Sequence, residues 1–450
     1  MKRVGIIGGG FAGLAAGVSL SSQGFRVTVI EARPHLGGRA YSFRDDETGA
    51  ILDNGQHAMM GCYTHTLAFL RQIGAERKLT RQRDLHVTLA HPKLGGGSIS
   101  CPSLPSPFHA IAGILSYRLL ARAERRSALW AGLRLMWMRR RHDSRLAQST
   151  VEQLLIALGQ SEQSRLSFWH PVALATLNES PERAAGVLFT EVLSRAFFGS
   201  RLDSQFVLPN VGLSELYTDD AQRFIELHGG TVEIKTPVAA LLLSDGRVAG
   251  VRLRSGHSIP VDACISAVPP RALTSLLPPE LRAHPSMERL GAFEPSPIVS
   301  VHLWFDRPLL REDFLGLLGT TTNWLFNRTK LTAEPGANGN QCLSAVISAG
   351  RQVVEWSAAR ITDTVVADIR SVLPAARGAR MLRSVVVKEK QATISPTPAS
   401  ERLRPGPETG IDNYFLAGDW TNTGLPPTIE SAVASGERAA ALVAERLQRH

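Results

Sequence analysis

Short runs of consecutive apolar residues alternate along this chain with longer stretches of helical spacing, and glycine or proline marks most of the joints. Residues 4–7 form an apolar run of buried-strand type, and the glycine turn Gly8-Gly9-Gly10 follows. Residues 12–22 are rich in helix formers and stop before Gly24, and residues 26–30 read as a second strand. The order is strand, glycine turn, helix, strand. Further on, residues 231–234 predict a strand and residues 238–253 a hairpin turning at 244–247. Residues 262–268 predict another apolar strand, ending at a proline pair. Near the other end, residues 414–419 read as a buried strand closing on Gly418 and Asp419, with a loop and then a helix from about 428 to 447. Between these, residues 300–305, 323–326, 343–348 and 381–387 predict strands. Residues 353–373 predict one helix, with Val354, Ile361, Val365, Ile369 and Leu373 on its apolar face. Prolines 102, 105 and 107 make residues 101–108 a stiff non-helical link.

Gly8, Gly10 and Gly13 stand at GxGxxG spacing, and the flanking strand and helix give that spacing its meaning. Such glycines let backbone approach a pyrophosphate, while the helix N-terminus offers unpaired N–H groups and a positive dipole end. Glu31 closes the second strand eighteen residues after Gly13, where a carboxylate can accept hydrogen bonds from both hydroxyls of an adenosine ribose. The plainer reading is a glycine-rich strand-helix joint without a ligand. A third reading takes Lys2, Arg3 and the apolar run as a secretory signal, but cleavage would destroy the motif.

Composition narrows the class. The chain has 450 residues, 44% hydrophobic content and a mean hydropathy of −0.03, as expected of a globular protein of two or three domain lengths. Four scattered cysteines without a CxxC pair argue against a disulfide scaffold or zinc ribbon, and the histidines form no HExxH, so no metal is expected. No run of eighteen uncharged apolar residues predicts a membrane span. Net charge is +10, and residues 118–145, with nine arginines against Glu124 and Asp143, carry +7 of it. Leucines, methionines, Trp130 and Trp137 interleave with those arginines. The stretch reads as a helix lying on a membrane surface, or as one whose apolar side packs on the core. No nucleic-acid motif accompanies it, and no nucleic-acid partner is expected.

From residue 32 onward the sequence begins to resemble the flavoproteins that include amine oxidases and carotene desaturases. Gly37, Gly38 and Arg39 follow Glu31 closely, and the phrase 417–424, AGDWTNTG, resembles the desaturase version of a second flavin signature. The phrase 52–63, LDNGQHAMMGCY, together with PNVGLSEL at 209–216, resembles the bacterial hydroxysqualene dehydroxylases, also called squalene-associated FAD-dependent desaturases. The resemblance spans the chain and implies FAD as cofactor. It implies an α/β fold, with a discontinuous Rossmann-type FAD-binding domain (1–80, 206–275 and 388–450) and a mixed α+β substrate domain (81–205 and 276–387). Carried over residue by residue, it assigns FAD binding to Gly8, Gly10, Gly13, Glu31, Arg33, Gly37, Gly38, Arg39, Val238, Gly418, Asp419, Thr428 and Ile429. Arg39 would meet phosphate or a flavin-side group, Val238 the adenine through its backbone, and Asp419 the ribityl chain or pyrophosphate. Gly436 would let the last helix pack closely.

The implied reaction removes the hydroxyl of hydroxysqualene, an isoprenoid allylic alcohol, to give squalene on the way to hopanoids. Hydroxide leaves only with a proton, so an acid must assist while reduced flavin supplies hydride. His57 and Asp53 are the catalytic candidates, His57 favoured for its unperturbed pKa. Glu430 is a third, with helix-dipole complementarity as its plainer role. For His57 and Asp53 the plainer role is structural. An oxidative phytoene-type desaturase, a flavin amine oxidase, and a catalytically silent flavin-binding or membrane-scaffolding protein remain open. The sequence names no electron donor. The expected location is cytoplasmic, peripheral to the inner membrane.

Overall fold

The computed structural model describes residues 1–449 apart from 278, 283, 284 and 333–338. Its first layer is a five-stranded parallel sheet in the order Thr231–Glu233, Arg26–Ile30, Arg3–Ile7, Ala263–Ser266, Tyr414–Leu416. Val4 pairs with both Val27 and Ala263, and Ile265 with Phe415, so strands from distant parts of the chain lie side by side. Covered faces keep Val4–Ile7, Ala263–Ser266 and Tyr414–Leu416 fully buried, whereas Arg26–Ile30 and Thr231–Glu233 interleave apolar residues with the polar Arg26, Thr28, Thr231 and Glu233. The helices Phe11–Ser22, Leu213–Leu227 and Ile429–Gln448 share one core with the sheet. The first and last of these meet backbone to backbone at Gly436, where a Cβ would stand 2.2 Å from the Ala12 carbonyl oxygen. The hairpin expected at 238–253 is present as Val238–Ser244 and Arg247–Leu253, joined by Ser258–Pro260 into a separate three-stranded sheet.

The second layer is a seven-stranded mixed sheet in the order Met381–Ile394, Pro295–Phe305, Gln341–Ile347, Trp324–Asn327, Phe314–Leu317, His86–His91, Gly95–Ser100. Gln341–Ile347 is buried on both faces. Leu343, Ala345 and Ile347 join the core beneath the helix Ala358–Val372, while Val346 belongs to a second core with Phe314 and Phe326. That helix starts later than its apolar spacing predicts. Ser357 Oγ accepts from the Arg360 N–H, starting a new helix and leaving Val353–Glu355 as a single 3₁₀ turn. Met381–Ile394 stays in this sheet throughout, so the expected domain boundary at 387/388 falls inside a strand. Over 118–145 the chain forms one long helix, Arg122–Arg140, packed against Phe108–Ser116. The whole is an α/β fold with a mixed α+β layer over it.

Candidate active site

Between the two layers lies a cavity of about 650 Å3. Its floor is the glycine turn. Gly8 has φ +110°, a conformation side chains resist, and a Cβ at Gly13 would stand 1.9 Å from the Gly8 carbonyl oxygen. Gly13 therefore does not line the cavity but lets the Phe11–Ser22 helix close on the turn. The first turn of that helix, at Phe11 and Ala12, faces the cavity. Its N–H groups lack intrahelical acceptors and favour an anion there.

Glu31 is buried at the end of the second strand. One carboxylate oxygen accepts from the Gly9 N–H at 2.8 Å and the other from the Arg33 N–H at 2.8 Å, which fixes the carboxylate at the cavity wall. Arg33 is held by the Gly38 carbonyl at 2.8 Å. Arg39 ion-pairs with Asp419 and donates to the Ala392 carbonyl, so its charge is shared with a carboxylate rather than left for phosphate alone. Gly37, Gly38, Gly418, Thr428 and Ile429 also line the cavity. Gly418 donates its N–H to Ser435 Oγ, and Thr428 caps the last helix, aiming its N-terminus at the same space. Val238 does not line the cavity; its side chain lies in the apolar core shared by the separate three-stranded sheet, while the contact expected of it is through its backbone.

The other half of the cavity is greasy, walled by Leu174, Phe206, Ile298, Phe314, Trp324, Phe326 and Val346. Gln56, His57, Met60 and Tyr63 join it to the nucleotide half. Burial pushes the His57 ring down to about 4, so it is neutral near pH 7 and offers one N–H donor and one nitrogen acceptor. Gln56 Oε1 is buried without a hydrogen-bond partner. Burial raises the Tyr63 phenol, which hydrogen-bonds Thr428.

Asp53 does not reach this space. Its carboxylate accepts from Ser42 Oγ at 2.7 Å and the Leu213 N–H at 2.9 Å, with buried Arg328 at 3.5 Å. Its backbone oxygen accepts from His302 Nε2 at 3.0 Å. Asp53 ties the two layers together, which corrects the expectation of a catalytic role. Glu430 is likewise buried away from the cavity. It accepts from the His65 and Thr66 N–H groups, both at 2.9 Å, and from Thr66 Oγ1 at 2.7 Å, capping the helix Thr64–Gln72. Gln56, Tyr63, Ser435 and the cavity-lining Arg271 were not assigned from sequence. The proline pair before Arg271 and the phrase containing Gln56 and Tyr63 were the only signals for three of them.

A family model of flavin-containing amine oxidoreductases matches residues 11–444. The chain belongs to that family. This flavoprotein is 32% identical to hydroxysqualene dehydroxylase of Sinorhizobium fredii, with 98% of each chain covered. It is 25% identical to 15-cis-phytoene desaturase of Synechococcus elongatus, covering 99% of this chain and 96% of that one. Its fold matches the crystal structure of an oxidoreductase from Methanosarcina mazei with a TM-score of 0.76, at 18% identity and 98% and 100% coverage. The cofactor is FAD, and the chain is an FAD-dependent oxidoreductase. The residues present fit that group, with a glycine cradle that a Cβ would fill, a carboxylate fixed at the cavity wall, and two helix N-termini facing one cavity.

Proposed function

We propose that this flavoprotein converts hydroxysqualene to squalene, exchanging the hydroxyl for hydrogen. The observation that carries the reading is the chemistry of the cavity wall. Among the described residues lining it, the acidic ones are Glu31 and Asp419, both in the nucleotide half. A cationic amine would find no carboxylate among the aromatic and aliphatic side chains opposite, whereas a neutral isoprenoid alcohol matches them. The similarity to a hydroxysqualene dehydroxylase points the same way.

The change is balanced as alcohol plus hydride plus proton giving hydrocarbon plus water. Reduced FAD, when bound, supplies the hydride. His57 anchors the substrate hydroxyl through its N–H. Being neutral, it can take a proton on one ring nitrogen and give one from the other without storing charge. Gln56 Oε1 accepts the hydroxyl proton's hydrogen bond, so the two side chains orient the carbon–oxygen bond. The Phe206, Phe314 and Phe326 side of the cavity excludes water from the allylic cation as the oxygen leaves.

The substrate is delivered from a bilayer. On the helix Arg122–Arg140, Trp130 (56% exposed), Leu133 (54%) and Trp137 share one outward face at spacings of three and four. Arg122 and Arg126 precede that stripe, and exposed Arg140 and Arg141 follow it. Phe108 (61%) and Leu115 on the neighbouring helix are exposed as well. Apolar residues facing outward between arginines suit an anionic membrane surface. No helix among the described residues is long and apolar enough to cross a membrane, so the contact is peripheral.

Purified protein with chemically reduced FAD, kept anaerobic and given hydroxysqualene, is expected to form squalene, detected by mass. No squalene under those conditions overturns the proposal. His57→Ala is expected to lose turnover and keep its flavin. Loss of flavin from that variant would instead make His57 a cofactor residue.

A further inference from the structure

A second, smaller cavity of about 160 Å3 lies directly behind the greasy wall of the first. Leu174 and Trp324 line both cavities and form the partition between them. The helix His170–Leu177 runs along both. Its residues from Leu174 onward face the main cavity, while His170, Pro171 and Leu174 face the smaller one. Just before it, Arg165–Trp169 is a single π turn that buries Phe168 and Trp169 and leaves Leu166 half exposed at the rim. Such turns re-aim side chains and recur at binding sites. On the far side, Gly316 gives the Trp324 ring its place. A Cβ there would meet Leu89 at 2.4 Å and Trp324 at 3.0 Å. Leu174 and Trp324, the latter seated against Gly316, are thus the residues the two cavities share.

We infer that the smaller cavity is a binding pocket for the far end of a long apolar chain, entered between Leu174 and Trp324 and ending at Leu166. Leu89, Leu317 and Leu318 give it apolar walls. At about 30 Å3 per heavy atom it holds roughly five atoms, the size of one isoprene unit. The inference rests on the reading that the occupant is a long isoprenoid, and it makes this pocket a length gauge. A chain that stops short of the partition does not use it, and one that passes through gains the burial of its last unit.

The test blocks the rim after folding. Leu166→Cys, at an exposed position, is loaded with FAD and treated with a bulky maleimide, with treated wild type as the control for Cys62. Binding of squalene and of farnesol, each in detergent micelles, is read from the flavin absorbance. The expected result is at least tenfold weaker squalene binding in the labelled variant, with farnesol binding within twofold of the unlabelled one. Unchanged squalene binding, or equal weakening of both probes, overturns the inference. Whether wild type makes squalene from hydroxysqualene is a separate measurement, so failure of the proposed reaction and failure of this pocket are distinguishable.

Discussion

Glu430 offers the sharpest separation between a chemical and an architectural role. Its carboxylate, 3% exposed, receives two backbone N–H groups and the hydroxyls of Thr64 and Thr66 at the start of the helix Thr64–Gln72. Hydrogen bonds to a charged acceptor contribute about 1.5–3 kcal/mol each, and the N–H groups left behind would be buried without partners. Because losses within one cluster are not additive, Glu430→Ala should cost about 3–5 kcal/mol in all. For a chain of this length the entropy of unfolding is about 0.9 kcal/mol/K, which converts the loss to a fall of about 3–5 °C in Tm. Glu430→Gln keeps one acceptor oxygen but turns an NH2 towards donors, so about half that fall is expected. Differential scanning fluorimetry of the FAD-loaded variants, with turnover measured well below Tm, is the assay. Turnover should track flavin content. If Glu430→Gln instead keeps the wild-type Tm and its flavin yet loses turnover, the capping argument is refuted and Glu430 is a proton donor.

Three further outcomes follow from the geometry. Gly436→Ala would bring a methyl against the Ala12 carbonyl, forcing the last helix away from the glycine turn; FAD retention on gel filtration should fall at least tenfold, and unchanged retention contradicts the close packing. His302 is fully buried between Ser344 and the Asp53 carbonyl, and burial pushes its ring from 6.5 to about 4. The stability contributed by the neutral ring is full above pH 6.5 and is lost as pH falls towards 4, by up to about 3 kcal/mol. Urea midpoints at pH 7 and pH 5 should therefore diverge more in wild type than in His302→Asn; equal divergence would show that the ring does not carry the effect. Replacing Trp130, Leu133 and Trp137 together by Ser should abolish sedimentation with phosphatidylserine vesicles and spare the flavin spectrum, while unaltered sedimentation would move the membrane contact elsewhere.

The parallel sheet was legible because strands buried on both faces are apolar, as residues 4–7 and 414–416 are, and because Val27, Val29 and Ile30 give residues 26–30 a strand's β-branched content. The antiparallel pair His86–His91 and Gly95–Ser100 was not. Three consecutive glycines open its second strand, and local preference argues against a strand that neighbouring strands nonetheless hold. Glu31 could be placed because its role depends on residues close to it in the chain. Asp53 could not, since its partner Leu213 lies 160 residues away, and Glu430 caps a helix more than 360 residues upstream. His57 was favoured as an acid on its ordinary pKa, and only the enclosure around it shows that the ring stays neutral.

The strand order of the five-stranded sheet also sets a sequence of assembly. Ala263–Ser266 is paired on one side by Arg3–Ile7, and its other edge waits for Tyr414–Leu416. During synthesis that edge stays open for about 150 residues, the interval in which five of the seven strands of the second sheet are made. The last helix, which brings Thr428 and Ile429 to the cavity, emerges later still. A chain released early presents an unpaired strand edge and half a nucleotide site. Tight retention of the flavin therefore reports that the chain has been made at least through the helix Ile429–Gln448.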